Sequence, residues 1–153
     1  MRSVVFEVQG KVIGKARPRV TRVGHAYTPA TTRLYEKAIR DAFLAAGGSK
    51  ISGYVHVDFE ATTKLQASAT KAQKAMRLEG KELATSKPDI DNIEKALLDA
   101  ISRGVAFDDD VQVVSVRKIK GRYETEPRLI VRVREITADE VAEIHSWMWG
   151  NEA

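Results

Sequence analysis

Residues 87–121, KPDIDNIEKALLDAISRGVAFDDDVQVVSVRKIKG, decide how this chain folds. Apolar residues recur at helical spacing from Ile90 to Ser102 and predict an amphipathic helix. The segment from Val111 to Arg117 is rich in β-branched residues and predicts a strand. Because only a short acidic connection joins the two, we expect the strand to pack beside the helix and to return the acidic residues to its start.

The residues on either side add strands and helices. On the N-terminal side, the patterns predict a strand at Val4–Val8 and a small hairpin around Gly24. They also predict a helix from Thr28 to about Ala46 and a strand of alternating polar and apolar residues at Tyr54–Glu60. Leu34, Ala38 and Phe43 are the expected buried stripe of that helix, with Ala42 or Ala45. Further on, the patterns predict a partly exposed helix at Ser68–Leu83, a strand at Arg128–Arg134 and a capped helix at Thr137–Trp149. Gly121 is the expected turn of a hairpin that pairs the last two strands.

This order of elements predicts an α+β fold in which a mixed or antiparallel sheet packs against helices. We expect a single domain over residues 1–136. Residues 137–153 are expected to form a C-terminal helical extension, packed on the same domain or at a dimer interface.

Composition excludes several classes of protein. The 153 residues include no Cys, which excludes disulfide scaffolds, Cys-ligated metal sites and thiol catalysis. No apolar run approaches the roughly 20 residues of a membrane span, and Met1 to Gln9 lacks the features of a signal peptide. We therefore expect a cytoplasmic protein that is not bound to a membrane.

Basic residues concentrate in the first third of the chain. Residues 1–50 carry three acidic side chains, Glu7, Glu36 and Asp41. The basic side chains there are Arg2, Lys11, Lys15, Arg17, Arg19, Arg22, Arg33, Lys37, Arg40 and Lys50. Such asymmetry favours binding of a polyanion, most often a nucleic acid, although a solvated basic surface explains it equally well.

Two acidic clusters provide candidate metal ligands. In the first, Asp89 and Asp91 project to the same side of an extended run, and Asp91, Lys95 and Asp99 share one face of the following helix. The second is the run 108–110, whose last member, Asp110, we expect near the start of that helix. Three converging carboxylates repel one another unless a cation binds, and hard oxygen ligands suit Mg²⁺ or Mn²⁺. Each cluster also has a simpler interpretation, since either Asp of the first is a good helix cap and Asp-rich turns are common.

Three blocks in order resemble the RusA family of Holliday junction resolvases of bacteria and their phages. They are GKARPRVTRVGHAYTPATTRLYE at 14–36, KPDIDNIEKALLDAI at 87–101 and FDDDVQVVSVRKIKG at 107–121. The resemblance extends from about Val4 to Val133, and the helix from Thr137 is an extension that not all members possess. It implies a RusA-like fold and a Mg²⁺-dependent homodimeric endonuclease that cuts four-way DNA junctions symmetrically in recombination and repair.

The resemblance also implies roles for individual residues. Asp89, Asp91 and Asp110 match the family's metal-binding carboxylates, and Lys95 matches its active-site lysine. These four are the predicted catalytic residues, with Mg²⁺ as cofactor, Mn²⁺ able to substitute, and no small-molecule cofactor. The predicted DNA-binding residues, which contact phosphates, are Lys11, Lys15, Arg17, Arg19, Arg22 and Lys87.

Two other functions remain open at this point. One is a metal-dependent nuclease that acts on other branched DNA, such as flaps or forks. The other is a non-catalytic DNA-binding module whose acids are caps and turns. The full D-x-D-N-x-x-K pattern at 89–95 argues against the second.

Overall fold

The computed structural model describes residues 2–148, so the predicted helical position of Trp149 lies outside the described residues. Within that range the α+β architecture with a mixed sheet is confirmed. The elements are β1 (Ser3–Gln9), β2 (Arg19–Val20), β3 (Ala26–Tyr27), α1 (Ala30–Ala45), β4 (Val55–Lys64), α2 (Lys71–Leu78), α3 (Ile90–Ile101), β5 (Val113–Glu124), β6 (Arg128–Glu135) and α4 (Ala138–Ser146). A single 3₁₀ turn, Asp110–Gln112, precedes β5.

The four long strands form one sheet in the order β1-β6-β4-β5. Strand β6 is antiparallel to both β1 and β4, and β5 is parallel to β4. Strands β2 and β3 form the separate small hairpin that was predicted around Gly24. Helix α1 packs against α3 and β1, and α3 also contacts β5. Helix α3 therefore lies beside β5, the edge strand that follows it in the chain, as expected.

The hydrophobic core follows the predicted periodicities. Val55, Val57 and Phe59 on β4 are at most 4% exposed, whereas the intervening His56 and Asp58 lie on the opposite, polar face of the sheet. Helix α3 buries the apolar face that was predicted, consisting of Ile93, Leu97, Ala100 and Ile101. Burial of this face fixes the rotation of α3 and so turns its charged residues outward.

The predicted buried stripe of α1 is confirmed at Phe43 but is wrong by one position at Leu34 and Ala38. Leu34 is 68% exposed, and the residues that face the core are Thr32, Tyr35, Ile39 and Phe43. Tyr35, Ile39 and Phe43 follow one another at intervals of four and bury more apolar area than a stripe containing Ala38. The larger side chains therefore set the rotation of the helix.

The predicted hairpin between the last two strands is also wrong. Strand β5 continues through Gly121 to Glu124, and β4 lies between β5 and β6 in the sheet. Gly121 sits in a β-bulge, where Thr62 of β4 is matched by two residues of β5, Gly121 and Arg122. Its φ of +115° favours glycine, and a Cβ there would approach the backbone oxygen of Ala84 to 2.9 Å. Glycine thus marks a close backbone approach rather than a turn.

Helix α4 begins with the predicted capping box, in which Thr137 and Glu140 satisfy each other's backbone N–H groups. None of its described residues is buried, and Arg134 pairs with Glu140 to hold its first turn against the end of β6. Among residues 2–148, no helix has the length and apolar character needed to cross a membrane.

Candidate active site

The first turn of α3 carries Asp89 as its N-cap. The Asp89 carboxylate accepts a hydrogen bond from the backbone N–H of Asn92 at 3.2 Å. The capping role that was one interpretation of this residue is therefore present. An N-cap carboxylate still has free lone pairs, so capping leaves Asp89 able to bind a cation as well.

The polar face of α3 presents Asp91, Lys95 and Asp99, one turn apart from each other. Asp91 is 85% exposed and accepts a hydrogen bond at 3.3 Å from Lys118 Nζ, which reaches across from β5. Asp99 pairs with Lys15 Nζ at 3.1 Å. Lys95 is exposed and has no carboxylate within ion-pair distance among the described residues. The lysine of the motif is therefore free to meet an external anion.

Asp110 lies opposite this face, in the turn before β5. Its carboxyl group is hydrogen-bonded to that of Asp109, which raises the pKa of Asp110, and the charge of Asp99 raises it further. The charge of Lys95 acts in the opposite direction. The backbone N–H of Val111 and the hydrogen bond with Asp110 lower the pKa of Asp109. The charges of Lys95 and Asp99 thus both act on Asp110.

The direction of β5 explains which part of α3 Asp110 faces. Lys118 contacts Asp91 and Glu94, and Lys120 farther along the strand contacts the carbonyl oxygens of Ser86 and Pro88. The strand thus runs antiparallel to the helix, and its start lies opposite the second half of α3. We expected Asp110 beside the start of the helix, but Asp89 lies ten residues before Asp99, about 15 Å along the helix axis.

Asp110 therefore lies opposite the half of α3 that carries Lys95 and Asp99, whereas Asp91 lies one turn before Lys95 and Asp89 is at the cap. In residues 2–148, no three Asp, Glu or His side chains form a group that would hold a metal ion. The metal-binding role of Asp89, Asp91 and Asp110 and the catalytic role of Lys95 stay predictions.

The basic segment that follows β1 is docked directly on α3. The backbone N–H of Lys15 donates to the carbonyl oxygen of Asn92 at 2.9 Å. At Gly14 the two segments approach so closely that an added Cβ would lie 2.8 Å from Pro88 Cβ and 3.0 Å from Asn92 Cβ. The glycine therefore lets the basic segment lie against the D-x-D-N motif.

The predicted DNA-binding residues fall into two groups. Lys15 is 16% exposed, and its Nζ lies 2.6 Å from Glu36 and 3.1 Å from Asp99, so its charge is used inside the protein. Hydrogen bonds to these two carboxylates raise the pKa of Lys15 despite the opposing effect of burial. The other five are exposed, and none has a carboxylate within ion-pair distance in the described part of the chain: Lys11, Arg17, Arg19, Arg22 and Lys87.

Sequence reasoning missed three charged residues near the site. Asp99 was recognised on the polar face but not proposed for the site, although its spacing from Lys95 was visible. Lys118 was detectable in principle, because residues two apart on a strand share a face, and Lys118 therefore lies with Val116 and Lys120 on the side of β5 that faces α3. Glu36 gives no signal in the sequence, since only the tertiary packing of α1 on α3 brings it to Lys15.

A small α+β chain with a carboxylate-rich helix beside an exposed basic segment has the features of a DNA-processing enzyme. Comparison with known proteins makes this specific: residues 9–134 match the family model described as endodeoxyribonuclease RusA. The chain belongs to the RusA endodeoxyribonuclease family, whose members act on Holliday junctions. It is also similar to an uncharacterized protein, YqaN, of Bacillus subtilis (strain 168), with 31% identity over 146 residues that cover 90% of this chain and 100% of that protein.

Proposed function

We propose that this protein is a Mg²⁺-dependent homodimeric endonuclease that resolves four-way DNA junctions by paired, symmetric nicks. One observation carries the proposal: β5 runs beside α3, where Lys118 contacts Asp91, and the charges of Lys95 and Asp110, which come from separate segments, act on each other. Asp91 lies one turn before Lys95, and the basic segment is docked on the same helix through Lys15 and Asn92. Carboxylates, an unpaired lysine and phosphate-binding bases thus occupy one surface.

The residues present fit a hard divalent cation. The carboxyl of Asp109 and the charge of Asp99 raise the pKa of Asp110, so negative charge is concentrated at this point, and a bound cation would relieve it. The available donors are carboxylate oxygens, the ligands that Mg²⁺ prefers. Asp89, Asp91 and Asp110 would hold it, and because no three acidic side chains of residues 2–148 form a ready group, the proposal requires the ion or the DNA to draw Asp110 toward the start of α3. The chemistry that a bound Mg²⁺ would supply is polarisation of the scissile phosphate and a lower pKa for an attacking water.

The protein's own residues contribute positioning and charge. Lys95 stabilises the negative charge that grows on the phosphate oxygens. Its own positive charge is available for this, because Lys95 makes no ion pair with a described carboxylate. Arg17, Arg19 and Arg22 contact phosphates of the neighbouring arms, which makes DNA affinity sensitive to salt. The pairing of Asp91 with Lys118 orients that carboxylate before DNA binds.

A four-way junction has two equivalent strands to cut, related by a two-fold axis. A symmetric dimer presents two copies of the site with matching symmetry. We therefore expect the protein to sediment as a dimer and to nick opposing strands of one junction at equivalent positions.

The experiment is cleavage of a synthetic four-way junction, with each strand labelled in turn, in Mg²⁺, in Mn²⁺ and in EDTA. Asp89→Asn and Asp91→Asn should abolish cutting while junction binding is kept, since asparagine still caps the helix at position 89. Lys95→Met should lower kcat by about 100- to 1000-fold. Asp41→Asn on the exposed side of α1 is the matched control and should cut like the wild type.

Other outcomes assign the protein to other functions. Faster cutting of forks or flaps than of junctions would make it a nuclease for other branched DNA. Absence of cutting at every Mg²⁺ and Mn²⁺ concentration, with no thermal stabilisation by either ion, would refute the nuclease and leave a DNA-binding module. A monomer that nicks one strand would refute the paired mechanism.

A further inference from the structure

A cavity of about 570 Å³ lies beside the segment that leads into α3, outside the carboxylate group. Its walls come from the turn after β1, the end of β4, the connection between β5 and β6, and residues 86–88. Val12, Ala61 and Ile93 form a buried apolar floor. The volume lies within the range of pockets that hold small organic ligands.

Lysines line the opening of this cavity. Lys11, Lys64 and Lys87 are exposed, and none makes an ion pair with a described carboxylate. Lys120 also lines it, but its Nζ donates to the carbonyl oxygens of Ser86 and Pro88 at 2.6 and 3.0 Å, which ties that wall to β5. Glu126 is the acidic residue in the lining.

The positive charge of the cavity contrasts with the outer face of the sheet. There Arg117 and Arg132 both bond to Asp58, and Arg122 bonds to Glu60, so each cation already has its partner. The lysines of the cavity keep their charge for an external anion. An apolar floor beneath a cationic rim suits a ligand with one flat apolar part and one anionic part.

We propose that this cavity receives one unpaired nucleotide of the bound DNA, with the base on the apolar floor and its phosphates at the lysines. The proposal rests on the proposed function, because it assumes that a DNA strand passes the start of α3. Lys87 and Pro88 line the cavity and directly precede Asp89, so a strand that reaches the carboxylates passes the opening. A base stacked inside a duplex is not free to enter, whereas an unpaired base at a branch point is.

The test measures junction binding in EDTA, where no strand is cut, as a function of salt. Lys64→Gln removes one cavity lysine that has no partner to lose, and Lys71→Gln, an exposed lysine at the start of α2, is the matched control. Removal of one phosphate contact should lower the slope of log K against log salt by about 0.7–0.9. The control should keep the wild-type slope.

Junctions with abasic nucleotides at the branch point test the base itself. The wild type should bind them about five-fold or more weakly than intact junctions, a loss typical of one buried base. Thr63→Phe, which fills part of the cavity, should bind intact and abasic junctions equally. Equal slopes for Lys64→Gln and wild type, or equal wild-type affinity for both junctions, would overturn the proposal.

Binding and cutting are scored separately, so the two proposals fail in different ways. If the protein cuts no DNA, but Lys64→Gln still lowers the salt slope and abasic junctions still bind more weakly, the proposed function is refuted and the nucleotide site is kept. Junction cutting without those effects would refute the nucleotide site alone. Absence of DNA binding by the wild type would refute both.

Discussion

The contact between Gly14 and the start of α3 gives a sharp test of how the basic segment is held. An alanine Cβ at position 14 would lie 2.8 Å from Pro88 Cβ and 3.0 Å from Asn92 Cβ, whereas ordinary contact begins at 3.4 Å. Both neighbours are attached directly to backbone and cannot rotate away. Since the φ of Gly14 lies outside the left-handed region, steric overlap is the whole penalty.

Gly53→Ala is the matched control. Its added Cβ would lie 3.8 Å from the nearest atom, a Glu135 carboxylate oxygen, and its φ is likewise outside the left-handed region. Both substitutions remove similar backbone entropy from the unfolded chain, which alone stabilises by about 0.4–1 kcal/mol. This gain is common to both variants and cancels in the comparison. Overpacking at position 14 should cost about 1–3 kcal/mol, so Gly14→Ala should be less stable than Gly53→Ala by about 1–3 kcal/mol.

Urea unfolding of both variants measures that difference, with unchanged m-values expected. Hydrogen exchange at the Lys15 amide reports the bond to Asn92 and should be faster in Gly14→Ala only. Displacement of the segment by about 1 Å should reduce junction cutting by about 10- to 100-fold. Equal stability of the two variants, with equal protection of the Lys15 amide, would show that the segment is not seated on α3 as described.

Three further substitutions test the energetics of the fold. The Tyr35 hydroxyl is buried and makes no well-formed hydrogen bond within residues 2–148, so Tyr35→Phe should change stability at pH 7 by less than about 1 kcal/mol. Burial raises the pKa of Tyr35 to about 12, so the wild type, but not this variant, should lose stability as the pH rises from 10 to 12, which urea titrations at each pH will measure. Asp58→Asn should cost about 1–3 kcal/mol at pH 6, because hydrogen bonds to the ionised carboxylate outweigh burial and hold the pKa of Asp58 below its ordinary 3.8. This contribution to stability is present above pH 3.8 and is lost as the pH falls through the lower pKa of the folded state. The same difference in free energy of unfolding between wild type and Asp58→Asn at pH 2 as at pH 6 would contradict the role given to the Asp58 carboxylate. Lys15→Met leaves two partly buried carboxylates without their lysine and should lower the free energy of unfolding, measured with urea, by about 1–3 kcal/mol. Lys37→Met breaks an exposed ion pair and should change the free energy of unfolding by less than about 0.5 kcal/mol.

Local features of this chain were predictable because they depend on short-range periodicity. The buried face of α3 and the alternation of β4 follow from residue spacing alone. The same spacing placed Asp91, Lys95 and Asp99 on one helix face. These predictions needed no knowledge of which strands are neighbours.

The errors concern features that only tertiary structure decides. The alternation at Arg128–Arg134 shows a strand but not its neighbours, so the insertion of β6 between β1 and β4 was invisible. Gly121 looked like a turn because its close contact with Ala84 involves a segment far along the sequence. The ion pairs of Lys15 were likewise invisible, because its two carboxylates come from different helices, and its contact with DNA stays a prediction.

The position of β6 in the sheet has a consequence for how the protein matures. Strand β1 has no neighbour in the sheet except β6, which is made more than one hundred residues later. During translation, the first strand must therefore wait without a strand partner, with only α1 available to cover Phe6, until residues 128–135 leave the ribosome. Premature release before that point would yield a chain with an open β4 edge, which is prone to aggregate or to be degraded.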